Sequence, residues 1–372
     1  MMPSSVVLST KCLLPNGKVK PRRLVIEAGI IKSITKIGLA ECDMSGILCP
    51  GFIDLQVNGA GSVLFNDAPD ISSIETIASV LKRYGTTSWL PTLVTDTAEQ
   101  MQKAADAVAQ AMLRPELGVV GIHFEGPHIS EQKKGVHDAD YIRPIAAAEM
   151  AIYQRTDIGA KLLTLAPEMV SSEDIQKLID HDCVVSIGHS NANYDQCVDA
   201  DEAGATGYTH LYNAMSGISG RQPGVIGAAL NGFCYYGFIM DGIHVHPALA
   251  RMAYRANSNM ILVSDSMPPV GTDDEAFNWF GETILRDQDR LTDQDGRLAG
   301  ALLTQDQALK NAISFLGLSI SEAADLVCRN PAELLDIDDS VGLIREGCRA
   351  NLVSLSKQHD VKQVWIDGIQ QI

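Results

Sequence analysis

Four polar residues stand at the ends of apolar runs, and their types suit a hydrolytic metal site. Glu125, His189, His210 and Asp265 occur in "GIHFEGPH", "SIGHSN", "GYTHLYNAM" and "LVSDSMPP", respectively. One carboxylate and two imidazoles can hold Zn²⁺ and leave a fourth position open for water, as a catalytic zinc site needs. An aspartate outside the ligand set can take a proton from that water and return it to a leaving group. Taken singly, each residue is equally compatible with a hydrogen-bonded core position.

The elements that must position these residues follow from an alternation of apolar and amphipathic segments. It begins at "GFIDLQVN" and continues to "NMILVSDSM", with eight buried-strand candidates, most of them followed by a helical pattern. This pattern is typical of a (β/α)₈ barrel of the TIM type, an α/β fold, and we predict such a barrel over residues 51–339. A barrel places its active site at the carboxyl ends of its strands, where the four polar residues fall.

Short strand patterns without helical period occupy both ends of the chain. Near the N-terminus they are "RRLVIEAG" and "IIKSITKIG", and near the C-terminus "VGLIREGCRANLVSLS" and "VKQVWIDGIQQI". We predict that residues 1–50 and 340–372 join in one small β-sandwich domain. Between the barrel strands and the C-terminal strands, "LTDQDGRLAG" predicts a hairpin, and helical segments are predicted from about Thr304 to Leu335.

Composition excludes several classes of partner. The chain has 372 residues and a formal net charge of −17, without a basic block, so we expect neither nucleic acid nor an anionic membrane as partner. Its eight cysteines form no CxxC pair, which favours reduced thiols in the cytoplasm. No signal peptide and no apolar run of ~20 residues stands out, so we expect an unprocessed protein outside the membrane.

A set of motifs along the chain resembles a known family. "PGFIDLQVNGAG", "HFEGPHIS", "KKGVHDADYIRP", "IGHSNA", "THLYNAMSGISGRQPG", "DGIHV" and "VSDSMPPVG" are similar to the successive motifs of the N-acetylglucosamine-6-phosphate deacetylase family in the amidohydrolase superfamily. The resemblance implies metal ligands Glu125, His189 and His210, with Asp265 as general base and acid. It also implies one divalent ion per subunit, with Zn²⁺ as the first choice, because Gln56 and Asn58 stand where other branches carry a metal-binding His-x-His.

The same resemblance implies the substrate and the residues that hold it. The reaction would be hydrolysis of the acetamido group of N-acetyl-D-glucosamine 6-phosphate in amino-sugar catabolism, giving glucosamine 6-phosphate and acetate. His137 would contact the sugar near its reacting end and share in catalysis. Arg221 and His244 would reach the phosphate from the neighbouring subunit of a homodimer. The full substrate-binding set is Gln56, His137, Asn213, the Ala214 backbone amide, Arg221 and His244.

Alternatives stay open at this point. The galactosamine epimer differs from the glucosamine substrate at one hydroxyl, and no motif reads that position, so N-acetylgalactosamine-6-phosphate deacetylation or the reaction of another small amidohydrolase is the runner-up. A non-catalytic barrel acting in assembly is a third reading, which the joint retention of the four polar residues opposes. His246 forms a His-x-His with His244. Its position before Pro247 and a helix start argues against a second metal site.

Overall fold

A computed structural model describes residues 5–372, and its terminal segments form one β-rich domain. Seven strands make a single sheet in the order β20-β19-β18-β4-β1-β2-β3, so strands from both ends of the chain pair with each other. The predicted β-domain from both termini is therefore confirmed, and its limits at residues 50 and 340 stay predictions. The strands are β1 Val6–Leu13, β2 Val19–Glu27, β3 Ile30–Lys36, β4 Ile47–Pro50, β18 Leu352–Leu355, β19 Val361–Ile366 and β20 Ile369–Gln370.

The centre of the molecule is a parallel eight-stranded sheet rolled into a barrel, which confirms the predicted (β/α)₈ fold. Its strands read as continuous apolar runs because both faces are covered, one by helices and one by the barrel interior. The strands occur at the eight positions expected from the sequence. They are β5 Phe52–Val57, β8 Thr86–Val94, β9 Gly121–Glu125, β10 Ala160–Leu165, β11 Cys183–Ile187, β12 Gly207–Tyr208, β13 Tyr235–Ile239 and β14 Met260–Val263.

Helices cover the barrel, and several begin where a side chain caps the first turn. Asp70 and Thr97 accept hydrogen bonds from the backbone N–H groups of Ser73 and Gln100 at two such starts. Within residues 5–372, no helix is long and apolar enough to cross a membrane. The helices are α1 Ile71–Leu81, α2 Ala98–Met112, α3 Ala147–Tyr153, α4 Ser172–Ile179, α5 Tyr194–Glu202, α6 Gly224–Asn231, α7 Pro247–Ala256, α8 Gln305–Leu316, α9 Ile320–Ala324 and α10 Asn330–Leu334, with a π-helical segment Asp325–Arg329 between the last two.

A small three-stranded antiparallel sheet, which we call the flap, stands outside the barrel. Its strands are β15 Ala276–Trp279, β16 Glu282–Asp287 and β17 Arg290–Thr292, and Thr292 forms a further bridge with Leu298. The predicted hairpin in "LTDQDGRLAG" is thus present as the last part of a larger element. A second small hairpin, β6 Gly59–Ala60 with β7 Val63–Leu64, follows the first barrel strand. Leu64 packs in one apolar cluster with Trp279 of the flap.

The barrel closes where its first strand meets the segment after its eighth. The Asp265 N–H donates to the Gln56 carbonyl at 3.0 Å, and Asn58 N–H donates to the Ser266 carbonyl at 3.1 Å. The buried carboxylate of Asp54 supports the same seam, because its Oδ1 accepts from the Ser264 N–H at 3.2 Å and from the Gln56 N–H at 3.3 Å. Burial raises the pKa of Asp54 to about 6, against the opposing effect of these hydrogen bonds.

Replacing Asp54 with Asn should remove a pH dependence of stability that this carboxyl produces. The pKa of Asp54 is higher in the folded chain than in the unfolded one, so its contribution to stability is lost as pH rises through about 6. When the pH falls from 7 to 5, the free energy of unfolding of the wild type should therefore increase by about 1 kcal/mol relative to that of the Asp54→Asn variant. Chemical denaturation at both pH values measures this. Asp43→Asn removes an exposed carboxylate as the control, and a stability difference between wild type and the Asp54→Asn variant that does not change with pH would contradict the prediction.

Candidate metal centre and substrate cavity

Glu125, His189 and His210 come together at the carboxyl ends of their barrel strands. Glu125 is the last residue of β9, and the two histidines follow β11 and β12. His189 and His210 have φ angles of 47° and 31°, and Asp265, which follows β14, has a φ of 50°. A positive φ is a costly conformation for a residue with a side chain, and it persists only where the surrounding structure holds it. The backbone turns sharply at each of these three residues, and the side chains of all four residues reach one cavity.

Three donor atoms of this group form a nearly equilateral triangle. Glu125 Oε1 lies 2.9 Å from His210 Nε2 and 3.3 Å from His189 Nε2. The two imidazole Nε2 atoms are 3.0 Å apart. Three ligands of a tetrahedral ion with bonds of about 2.0–2.1 Å would lie about 3.3 Å from one another. The residues therefore fit a divalent ion, and within residues 5–372 they are the group that offers three such ligands.

Hydrogen bonds around the triangle prepare its atoms for a cation. His189 Nδ1 lies 2.9 Å from the Lys133 carbonyl, which fixes the ring proton on Nδ1 and turns the Nε2 lone pair toward the triangle. Burial raises the pKa of Glu125, but the neighbouring imidazoles of His189 and His210 outweigh burial and hold the pKa well below its ordinary value. Glu125 is thus an anion facing two imidazoles, which is the arrangement expected of a ligand set.

Gln56 of β5 connects Glu125 to Asp265, and Asn58, the residue after this strand, adds a second amide donor to Asp265. Gln56 Nε2 donates to Glu125 Oε1 at 3.0 Å and to Asp265 Oδ1 at 3.1 Å. Asn58 Nδ2 donates to the same Asp265 oxygen at 2.7 Å. Burial, and after it the negative charge of Glu125, raises the pKa of Asp265. The amides therefore supply N–H donors between two buried carboxylates and leave Asp265 Oδ2 free to exchange a proton.

His137 reaches the same cavity from the loop after β9 and is held by Thr95. Thr95 Oγ1 lies 2.7 Å from His137 Nδ1 and 3.3 Å from the Glu125 carbonyl. We assign the hydroxyl proton to the shorter contact, which places the imidazole proton on Nε2. Burial lowers the pKa of His137 well below its ordinary value, so the ring is neutral. Gly126 has a φ of 89°, and a Cβ there would lie 2.1 Å from Thr95 Oγ1, so glycine is required beside this hydroxyl.

The cavity has a volume of about 340 Å³ and an uncommitted backbone donor in its wall. Asn213 and Ala214 line it, and Asn213 Nδ2 donates to the His210 carbonyl at 3.1 Å. Tyr212 and Ala214 have φ angles of 78° and 50°. The Ala214 N–H takes part in none of the backbone hydrogen bonds found among residues 5–372. Left-handed turns that expose backbone N–H groups form concavities that suit anions.

His244 also lines the cavity, together with Asp265 of its own chain. Its action in a neighbouring subunit stays a prediction, whereas in its own chain the ring reaches this cavity. The reason is a tight turn after β13: Asp241 accepts from the His244 N–H at 2.9 Å and lies 2.6 Å from His244 Nδ1, which aims the ring inward. His246 points elsewhere, since it is exposed and its Nδ1 accepts from the Ala248 N–H at 3.1 Å as the cap of α7.

Two expected substrate contacts are not among the residues that line the cavity. Gln56 is not in the cavity lining, and its side chain holds Glu125 and Asp265 by hydrogen bonds. A direct contact between Gln56 and substrate stays a prediction. Arg221 is exposed in the loop between Ala214 and α6, outside the cavity lining of its own chain. Its action in a neighbouring subunit also stays a prediction.

Other lining residues were not singled out from the sequence. Lys133 belongs to the segment whose backbone orients His189, while Trp279 and Arg297 come from the flap and the turn after it. Lys133 stands in the motif "KKGVHDADYIRP" without a predicted role, and Trp279 carries no motif because the flap lies outside the barrel strands. The run "LTDQDGR" does contain the turn that presents Arg297, so the predicted hairpin was the available signal.

Comparison with known proteins finds similar sequences over most of the chain. The chain is 43% identical over 329 residues to an N-acetylgalactosamine-6-phosphate deacetylase of Shewanella sp. (strain ANA-3), covering 87% of this chain and 83% of that protein. It is 34% identical over 369 residues to an N-acetylglucosamine-6-phosphate deacetylase of Haemophilus influenzae, covering 97% of this chain and 95% of that protein.

A solved structure and a family description extend these matches to the fold. The crystal structure of N-acetylglucosamine-6-phosphate deacetylase from Pasteurella multocida superposes with a TM-score of 0.93 at 31% identity, covering 99% of each chain. The description of the amidohydrolase family matches residues 47–370, which include the barrel and every residue of the candidate metal centre. The chain therefore belongs to the amidohydrolase family.

Proposed function

We propose that this protein hydrolyses the acetamido group of an N-acetylated amino-sugar 6-phosphate, releasing acetate and the free amine. The observation that carries the proposal is the buried triangle of Glu125, His189 and His210, joined through Gln56 to a second carboxylate at the wall of a cavity of about 340 Å³. Full-length relatives named as deacetylases of such sugars support the same reaction. Amide hydrolysis fits these residues because the reaction needs an activated water and a group that moves a proton to the departing amine.

The residues divide the reaction between them. A divalent ion held by Glu125, His189 and His210, which we propose to be Zn²⁺, would polarise the amide carbonyl and lower the pKa of a water molecule. Asp265 accepts the proton as the water attacks and passes it to the nitrogen as the C–N bond breaks. Its raised pKa suits both steps, because a carboxyl that titrates near neutrality can accept and donate. His137 donates from Nε2 to the carbonyl oxygen or a neighbouring hydroxyl.

Anchoring of the phosphate falls to other donors in the cavity wall. The Ala214 N–H, Asn213 and His244 offer hydrogen bonds, and Lys133 adds a positive charge at the wall. We further propose that Arg221 contributes a guanidinium from the partner in a homodimer, because a phosphate approaching a chain of net charge −17 needs local cations. The eight free cysteines fit a reducing compartment, and we propose the cytoplasm.

Two epimeric sugar phosphates are candidates for the substrate. N-acetyl-D-glucosamine 6-phosphate is the substrate that we propose first, and the relative from Haemophilus influenzae is named for it. The relative from Shewanella, at 43% identity, is named for the galactosamine epimer, which makes that sugar the second candidate. Acetate release from both sugar phosphates, measured side by side with the purified protein, tests the proposal. Hydrolysis of neither would reject it.

Two variants, Asp265→Asn and Glu125→Gln, should distinguish the role of general base from the role of metal ligand. The wild type should hold about one divalent ion per chain, because three protein ligands serve one tetrahedral ion. Asp265→Asn should keep that ion and lower kcat by about 10²–10⁴-fold, since it removes only the proton carrier. Glu125→Gln should lose ion and activity together. Metal analysis and acetate release measure both quantities.

The outcomes that contradict this division are distinct. Near-normal turnover in Asp265→Asn would reject the base, and full metal content in Glu125→Gln would reject the ligand set. Two tightly held ions in the wild type would overturn the single-metal proposal.

Thr95→Val should weaken catalysis without affecting metal content. Valine matches threonine in shape but cannot donate to His137 Nδ1, so the ring loses the contact that fixes its tautomer. We expect kcat to fall about tenfold, corresponding to one hydrogen bond of ordinary strength. Thr95→Ser keeps a hydroxyl and should retain most of the activity. Equal losses in the Val and Ser variants would indicate that packing, and not the hydroxyl, is responsible.

Mixed dimers should recover activity if Arg221 acts in the partner's site. Subunits carrying Asp265→Asn are exchanged with subunits carrying Arg221→Ala, each nearly inactive alone. One site of every hybrid then has an intact Asp265 from its own chain and an intact Arg221 from its partner. Once subunit exchange has been verified, acetate release per hybrid dimer should return toward half of the wild-type value, because one of its two sites is intact. If activity does not return, Arg221 does not act across subunits, while the metal and Asp265 proposals are unaffected.

A further inference from the structure

The flap contributes two polar side chains to the wall of the cavity that holds the metal ligands. Trp279, at the end of β15, and Arg297, in the turn after β17, both line this cavity with Glu125 and Asp265. Neither side chain forms a hydrogen bond with the metal-ligand triangle, and neither is needed for the proposed proton transfers. Their presence in the lining requires a separate explanation.

Trp279 carries a hydrogen-bond donor that the protein does not satisfy. Its side chain is 5% exposed, and its Nε1 atom is buried without a partner among residues 5–372. An unsatisfied buried N–H costs about 1–3 kcal/mol, so native structures seldom retain one without a use. The indole packs in a cluster with Val136, the residue before His137. The loop that carries His137 thus packs against the same apolar cluster as the indole.

Arg297 is held in place by two carboxylates, which together leave one net negative charge at this turn. Its Nε donates to Asp293 Oδ2 at 2.7 Å, and its Nη2 donates to Asp295 Oδ2 at 2.9 Å. Asp293 also accepts from the Arg297 N–H at 2.8 Å, which closes the turn. The Nη1 atom takes part in none of the hydrogen bonds found among residues 5–372. That excess negative charge disfavours a phosphate here, whereas an uncharged hydroxyl can accept from Nη1 without electrostatic repulsion.

We propose that Trp279 Nε1 and Arg297 donate to ring hydroxyls of the sugar, and that the flap sets the preference between the two epimers. The inference rests on the proposed deacetylase function. It adds the residues that determine the epimer preference, which the proposed function leaves open. A sugar with its acetamido group at the ligand triangle and its phosphate at the Ala214 amide presents its remaining hydroxyls to the rest of the wall, which includes the flap. Glucosamine and galactosamine phosphates differ only in the direction of the C4 hydroxyl.

Two oriented donors can discriminate such sugars. A site that hydrogen-bonds a hydroxyl rejects the analogue in which that hydroxyl points away, because the hydrogen bond is lost and a buried donor such as Trp279 Nε1 is left unpaired. Both flap donors are held in fixed positions, one by packing and one by paired carboxylates. The flap can therefore select an epimer without any change in the metal centre.

The test compares the two epimers in flap variants. Trp279→Phe removes the N–H and keeps an aromatic ring in the cluster, and Arg297→Gln removes the guanidinium. Each should change the ratio of kcat/KM for N-acetylglucosamine 6-phosphate to that for N-acetylgalactosamine 6-phosphate by about five- to tenfold, the loss of one hydrogen bond with the preferred epimer. Metal content should not change. Arg290→Gln, an exposed change on the same flap, should leave the ratio unaltered.

Each alternative result has a clear meaning. A fall in kcat/KM by the same factor for both epimers would overturn the proposal, because it would indicate a structural effect or a phosphate contact. An unchanged ratio in both variants, with an active wild type, would overturn it as well. If the wild type hydrolyses neither sugar, the proposed function fails and this inference fails with it, so the two failures are told apart by the wild-type assay.

Discussion

Two carboxylates buried within hydrogen-bonding reach of one amide are the constraint around which the site is organised. Glu125 Oε1 and Asp265 Oδ1 both accept from Gln56 Nε2, at 3.0 and 3.1 Å. Two such acids at the mouth of a barrel cannot both be anions at low cost unless donors or cations lie between them. The amide bridge, the two imidazoles on Glu125 and the raised pKa of Asp265 are the means by which the fold accommodates them. The two carboxyls therefore differ in pKa, with Glu125 held well below its ordinary value and Asp265 raised above it.

The barrel supplies this constraint through its closure. The segment that carries Asp265 is joined to the first strand by the Asp265 N–H to Gln56 carbonyl bond, and the side chains of Gln56 and Asn58 then reach the Asp265 carboxylate. Barrel closure and the proposed catalytic site therefore share the same residues. Left-handed backbone at His189, His210 and Asp265 turns each chain segment inward after its strand, and the hydrogen bonds of the site help to hold that conformation.

The flap stands outside this arrangement and has its own apolar cluster, with Trp279, Ile284 and Leu291 packed against Leu64 and Met267. It contributes donors to the cavity without taking part in barrel closure. An element of this kind can differ between relatives without disturbing the metal centre, which is consistent with relatives that share the fold and are named for different epimers.

The sequence by itself determined the eight barrel strands, the β-domain from both termini and the four polar residues at strand ends, because alternating apolar runs and the carboxyl-end rule are local patterns. It also located the amides of Gln56 and Asn58, though not what they contact. Only the tertiary structure decided that Gln56 bridges to Asp265, 209 positions away, and that His244, Trp279 and Arg297 line the cavity of their own chain. These contacts join residues far apart in the chain, and their geometry is set by how the barrel closes and where the flap packs.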